Sequence, residues 1–157
     1  MWWVVGVVAV VVLVATYVTW TAARVDRLHA RAASSARALD AHLVRRAAAA
    51  VVLAEESGLA DLYAAARAAL DARPDEREAA ENDLTRQLRK ITVTPDDPIG
   101  SNVVQASRRV GLARQVHNDI VRDALAARSR PLVRLLGFNR RHPRPKYFDV
   151  DDPTLDP

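Results

Sequence analysis

Trp2-Trp3-Val4-Val5-Gly6-Val7-Val8-Ala9-Val10-Val11-Val12-Leu13-Val14-Ala15-Thr16-Tyr17-Val18-Thr19-Trp20 decides how the rest of the chain is read, because no charged side chain occurs before Arg24. About 20 apolar residues in a helix cross roughly 30 Å of hydrocarbon, at about 1.5 Å per residue. So much valine makes a poor isolated helix in water. In lipid it is acceptable, since a helix satisfies its own backbone groups there. Each central Val or Leu favours insertion by about 0.3–0.6 kcal/mol. Trp2 and Trp3 stand at one end of the run and Tyr17 and Trp20 at the other, where amphipathic rings prefer the headgroup level. Residues 1–23 are therefore expected to form a transmembrane anchor. A cleaved leader fits less well: no Lys or Arg precedes the core, the core exceeds the usual 7–15 or so residues, and Thr21-Ala22-Ala23 is a weak cleavage match.

Orientation is read from charge. Arg24, Arg27, Arg31 and Arg37 follow the span closely and no basic residue precedes it. The positive-inside rule then places the amino terminus outside and residues 24–157 in the cytoplasm of a bacterial-type inner membrane.

The remainder of a 157-residue chain with formal charge +4 leaves room for one domain of about 100 residues and a tail. The absence of Cys fits a reducing compartment and excludes disulfides and thiolate metal sites. Few Gly and abundant Ala, Arg, Leu and Glu point to an all-α domain. A pI near 10.1 invites a nucleic-acid partner. No helix-turn-helix, stacking platform or zinc module supports one, and an anionic leaflet is a simpler reason to be basic.

Helical periodicity runs from Arg24 to about residue 56 through Val25, Leu28, Ala32, Leu39, Leu43, Ala50 and Leu53, and Ser57-Gly58 stops it. A second helix is expected at about 59–72. A third, at about 75–91, starts at Pro74-Asp75-Glu76 and is weakly apolar, so it is expected to be the most exposed. Thr94-Pro95-Asp96-Asp97-Pro98 breaks the chain. A fourth helix at about 99–129 carries the stripe Val103, Ala106, Val110, Ala113, Val116, Ile120 and Ala124, and Pro131 closes it. Short connections make antiparallel neighbours the default. The expected fold is thus all-α: one transmembrane helix continuing into an elongated antiparallel four-helix bundle over 24–131, then a basic and later acidic tail at 132–157. Arg140, Arg141, Arg144 and Lys146 would lie at the level of Arg24, Arg27 and Arg31 as a collar facing anionic headgroups, worth about 1 kcal/mol per basic residue. The alternative is a solvated tail.

Ala113-Arg114-Gln115-Val116-His117-Asn118, followed by Val121, resembles the Ala-Arg-x-x-Tyr-Asn signature on the last helix of the LemA family of small bacterial membrane proteins. Pro131, Gly137-Phe138 and Tyr147-Phe148 follow in the family's order, and Leu43, Arg45 and Arg46 resemble its Leu-x-Arg-Arg. The chain departs from the pattern where His117 replaces Tyr and Ala124-Leu125 stand in place of a second Tyr-Asn. It looks like a divergent member. The resemblance implies a helical bundle on a membrane tether and no established activity.

Chemistry-bearing constellations are sparse. His29, His42, His117 and His142 include no i, i+4 pair and no Glu-x-x-His, so neither a metal nor another cofactor is expected. Asn118 and His117 are read as structural, His117 as a flank bonding locally. Arg45-Arg46 and Arg108-Arg109 are expected to pair with Asp40, Asp119 or Asp123, or else to form a docking patch for an acidic partner. No phosphate loop or activated nucleophile is present, so no catalytic residue is assigned. The expectation is a scaffold or adaptor working by contact with a membrane or cytoplasmic protein. Its alternatives are a regulatory subunit of a membrane enzyme acting on envelope substrates, or a homo-oligomeric, coiled-coil-like membrane organiser.

Overall fold

Helix formers dominate the chain and the described residues are helical or irregular, with no strand among them. The computed structural model describes residues 1–93, 97–129, 131–135, 137 and 143–155. Among these residues five helices follow in order: α1 (Trp2–Ser57), α2 (Ala60–Asp71), α3 (Arg77–Arg89), α4 (Pro98–Arg128) and α5 (Pro131–Leu135).

The helix ends follow from local chemistry. Gly58 adopts φ +65° beyond the end of α1. Its N–H donates to Glu55 O and that of Leu59 to Ala54 O at 2.9 Å, the paired bonds of a Schellman stop. At the start of α4, Asp97 accepts the Gly100 N–H on Oδ2 at 2.9 Å, with Pro98 in the first helical position. The expected loop therefore ends one residue earlier than proline alone signals, and its residues 94–96 lie outside those described. The third helix begins at Arg77 rather than 75. Glu76 N donates to Arg73 O, and the Arg73 guanidinium holds Asp75 and Glu76, so these residues form a turn.

The chain divides into two compact units, Met1–Ser34 with Asp119–Lys146, and Ser35–Asn118 with Tyr147–Pro157. In the first unit, the 18-residue apolar window of α1 has mean hydropathy 2.2 and is only 6% buried. Val25, His29 and Ala32 are buried beyond it, as are Val121, Ala124, Ala127 and Val133.

The second unit has a core built from small residues and leucines. Ala47, Ala50 and Leu53 of α1, Leu62 and Ala66 of α2, Leu84 and Leu88 of α3, and Val103 of α4 pack together. Leu39, Leu43 and Val110 form an adjoining cluster that takes in Phe148. Two expectations are corrected here. Helix α3 is not simply the exposed member: it buries Glu81, Leu84, Thr85 and Leu88. A polar network replaces the apolar stripe it lacks. On α4, Val116 is exposed, whereas Ser107, Gly111 and His117 are buried, so the inward face is rotated from the purely apolar reading.

Candidate functional site

Arg46 is the largest fully buried side chain among the described residues, 1% exposed, and it organises the polar centre of the second unit. Its guanidinium donates in three directions: Nη1 to Glu81 Oε2 at 3.2 Å, Nη2 to Thr85 Oγ1 at 2.8 Å and Nε to Ser107 Oγ at 3.2 Å. Thr85 Oγ1 in turn donates to Glu81 O at 2.8 Å. Helices α1, α3 and α4 are thereby tied by one fork. Glu81 Oε1 is buried without a hydrogen-bond partner among the described residues. Loss of water pushes the Glu81 carboxyl up to about 7, against the opposing pull of Arg46. The same loss of water lowers Arg46, and Glu81 holds it back. The partner expected for this arginine was Asp40, Asp119 or Asp123. Asp40 instead pairs with Arg77 at 3.3 Å, and Asp119 with Arg122 on its own helix. Sequence periodicity treats Glu81 as a surface residue, so it could not have signalled the match.

The segment 147–155 crosses this unit as an extended strap. Asn118 Nδ2 donates to Phe148 O at 3.2 Å and its Oδ1 accepts Phe148 N–H at 3.0 Å, which satisfies both backbone groups of one residue. Arg114 donates to Val150 O, and Arg89 to Asp152 O at 2.7 Å. Val150 and Leu155 are buried, and Gly111 lies under Pro153 and Thr154, whose nearest atoms would sit 3.7 and 3.5 Å from a Cβ there. A solvated tail does not describe this stretch. Its acids are exposed, but its backbone and apolar side chains are held by α3 and α4. Thr154 donates to the Asp152 carboxylate from its N–H and its hydroxyl, which keeps that group below the usual aspartate range.

Several residues of the motif are thus brought together, namely Arg114, Asn118 and Phe148, with Leu43 in the same cluster as Phe148. His117 reaches across to another helix. It is buried, with Nδ1 2.9 Å from Ser35 Oγ on α1. Ala113 is half-buried, Val121 is buried, Arg45 and Tyr147 are exposed, and Gly137 takes φ +70°. Phe138 lies outside the described residues.

In the first unit, Trp2 and Trp3 are exposed, at 91% and 74%. Tyr17 and Trp20 lie with ring centroids 6.4 Å apart, and the Arg24 guanidinium sits 5.7 Å from the Trp20 ring. These three line a cleft of about 200 Å³ with Ala127, Pro131 and Val133. Arg27, Arg31, Arg144 and Lys146 are exposed, and Arg140 and Arg141 lie outside the described residues. Arg144 lines a second hollow with Asp26, His29 and Ala30. His29 donates from Nδ1 to Val25 O at 2.9 Å, which leaves Nε2 to accept from Arg128 at 2.8 Å. Among the described residues no group of three His, Asp or Glu could hold a metal ion.

Comparison with family models, with curated proteins and with solved structures finds no match.

Proposed function

We propose that this chain is a single-pass membrane-anchored helical scaffold or adaptor, LemA-like in architecture, which works by protein contact rather than catalysis. The carrying observation is the apolar window of α1, with mean hydropathy 2.2 and 6% buried. A helix apolar on all sides that leaves those sides uncovered needs lipid around it. Arginines on one side only support an amino terminus outside and the remainder in the cytoplasm. An antiparallel bundle is supported by pairings that descend α1 as they climb α4: Arg46 with Ser107, then Ser35 with His117. The meeting of Arg114, Asn118 and Phe148 supports the family resemblance, since the motif residues then have a shared structural task.

Alkaline carbonate extraction of cells expressing the full chain tests the anchor. The full chain stays in the pellet, and a form starting at Arg24 is released. A reporter fused behind Pro157 should be active in the cytoplasm. Mature material beginning after Ala23, or a reporter active only outside, overturns the reading.

A further inference from the structure

On the second unit, α1 and α4 leave a long trough on their open side. One hollow of about 350 Å³ is lined by His42, Arg45, Ala48, Ala106 and Arg109 among others. An adjoining hollow of about 330 Å³ shares His42 and Arg109 and continues past Ala113 to Leu112 and Val116. Lining residues extend from Ser35 to Val52 on α1 and from Asn102 to Val116 on α4, which is about 20–25 Å at 1.5 Å per residue. Four turns of helix have that length. Ala38, Ala48, Ala49, Ala106 and Ala113 are among the lining residues, so a backbone can come close, and Leu112 and Val116 stand exposed at one end. Among the described residues no acid lines either hollow. Arg45 and Arg109 are exposed and make no ion pair among the described residues.

The geometry points to this trough as the docking site for an amphipathic helix of a protein partner, one with small and leucine side chains facing inward and carboxylates along its flanks. A helix laid in a groove gains from apolar anchors along one face. Its flanking acids would meet Arg45 and Arg109, which face solvent with their charge unanswered and direct the choice of partner. The Arg45-Arg46 pair is thus split by helix geometry: one arginine holds the core and its neighbour faces the trough. The inference rests on the contact-by-scaffold reading but not on the anchor.

The test uses the full chain in neutral-detergent micelles and a labelled synthetic peptide of about four turns, with Ala and Leu on one face and Glu on both flanks. Two controls are a scrambled peptide of the same composition and a peptide with Lys in place of Glu. Anisotropy should show the acidic amphipathic peptide binding at least about tenfold more tightly than either. Arg45→Glu with Arg109→Glu should weaken it at least about tenfold and transfer the preference to the Lys peptide. Leu112→Asp should also weaken binding, and Arg67→Glu on α2 should leave it within about twofold. All four positions are exposed, and circular dichroism checks that helix content is kept. Equal binding of the three peptides overturns the inference, as does an equal loss on Arg67→Glu. So does a dimer in micelles that Leu112→Asp dissociates, because the trough would then be filled by a second copy. Retention in the carbonate pellet is independent of all these outcomes, so failure of the trough and failure of the anchor are distinguishable.

Discussion

Arg46 and Glu81 show how a buried ion pair binds helices without being a source of net stability. Taking both charges out of water costs several kcal/mol per ion, and their attraction repays it only when the remaining donors and acceptors are also met. Thr85 and Ser107 meet two of the remaining donors, and Glu81 Oε1 is left over. Removing one partner should therefore cost more than removing both. Arg46→Met is expected to lower stability by about 3–5 kcal/mol, while Arg46→Met with Glu81→Leu recovers most of it; thermal melts of the two variants in detergent check this. The pair also makes stability depend on pH. Glu81 is raised in the folded chain to about 7 from an ordinary 4.5. The folded state thus holds the proton more tightly than the unfolded state. The stabilisation is present in full below about 4.5 and is lost as pH rises through about 7. The melting temperature should fall between pH 5 and pH 8, and Glu81→Gln should flatten that slope.

Among the elements, the strap is the part that sequence pattern conceals. Its stretch Tyr147-Phe148-Asp149-Val150-Asp151-Asp152-Pro153 reads as an acidic tail, because what holds it is hydrogen bonds from distant side chains to its backbone. Asn118 carries two of these, and Arg114, Arg89, Glu78 and Asn82 one each. Asn118→Ala leaves the N–H and C=O of Phe148 without their partner and is expected to cost about 1–3 kcal/mol. Hydrogen exchange at Phe148 and Val150 should quicken well before exchange in α1 does, and unchanged protection there would show the strap to be held without Asn118. The long helices were legible for the opposite reason. Val25, Ala32, Leu39, Leu43, Ala50 and Leu53 recur at helical spacing and are all buried, and Gly58 stops α1 where it was expected. Helix α3 was legible as a helix but not as a core member. Its buried face is half polar, and only the guanidinium arriving from α1 makes that face suitable for burial. The start of α4 was blurred in the same way, since Asp97 reads equally well as loop or cap until its carboxylate is seen to accept the Gly100 N–H.

For the molecule as a whole, the first twenty residues pose one physical question: what covers Val4, Val8, Val11 and their neighbours, which stand exposed around the whole circumference of α1. Burying a single apolar side chain fully is worth about 1.5–3 kcal/mol, so leaving an entire span in water would outweigh the stability of a small domain. Lipid removes that cost, and it also makes a single charge decisive. Val11→Arg, near the middle of the apolar run, is expected to oppose insertion by about 2.5–3.5 kcal/mol, which is comparable to the gain from several valines. The variant should pass largely into the carbonate-soluble fraction or aggregate, whereas Ala23→Arg, at an exposed position beside Arg24 and at the proposed headgroup level, should stay in the pellet. Neither change touches Arg46 or the strap, so the pH slope set by Glu81 should survive in both. If Val11→Arg and Ala23→Arg partition alike, depth in a bilayer is not what distinguishes these positions, and the exposed valines of α1 are covered by something other than lipid.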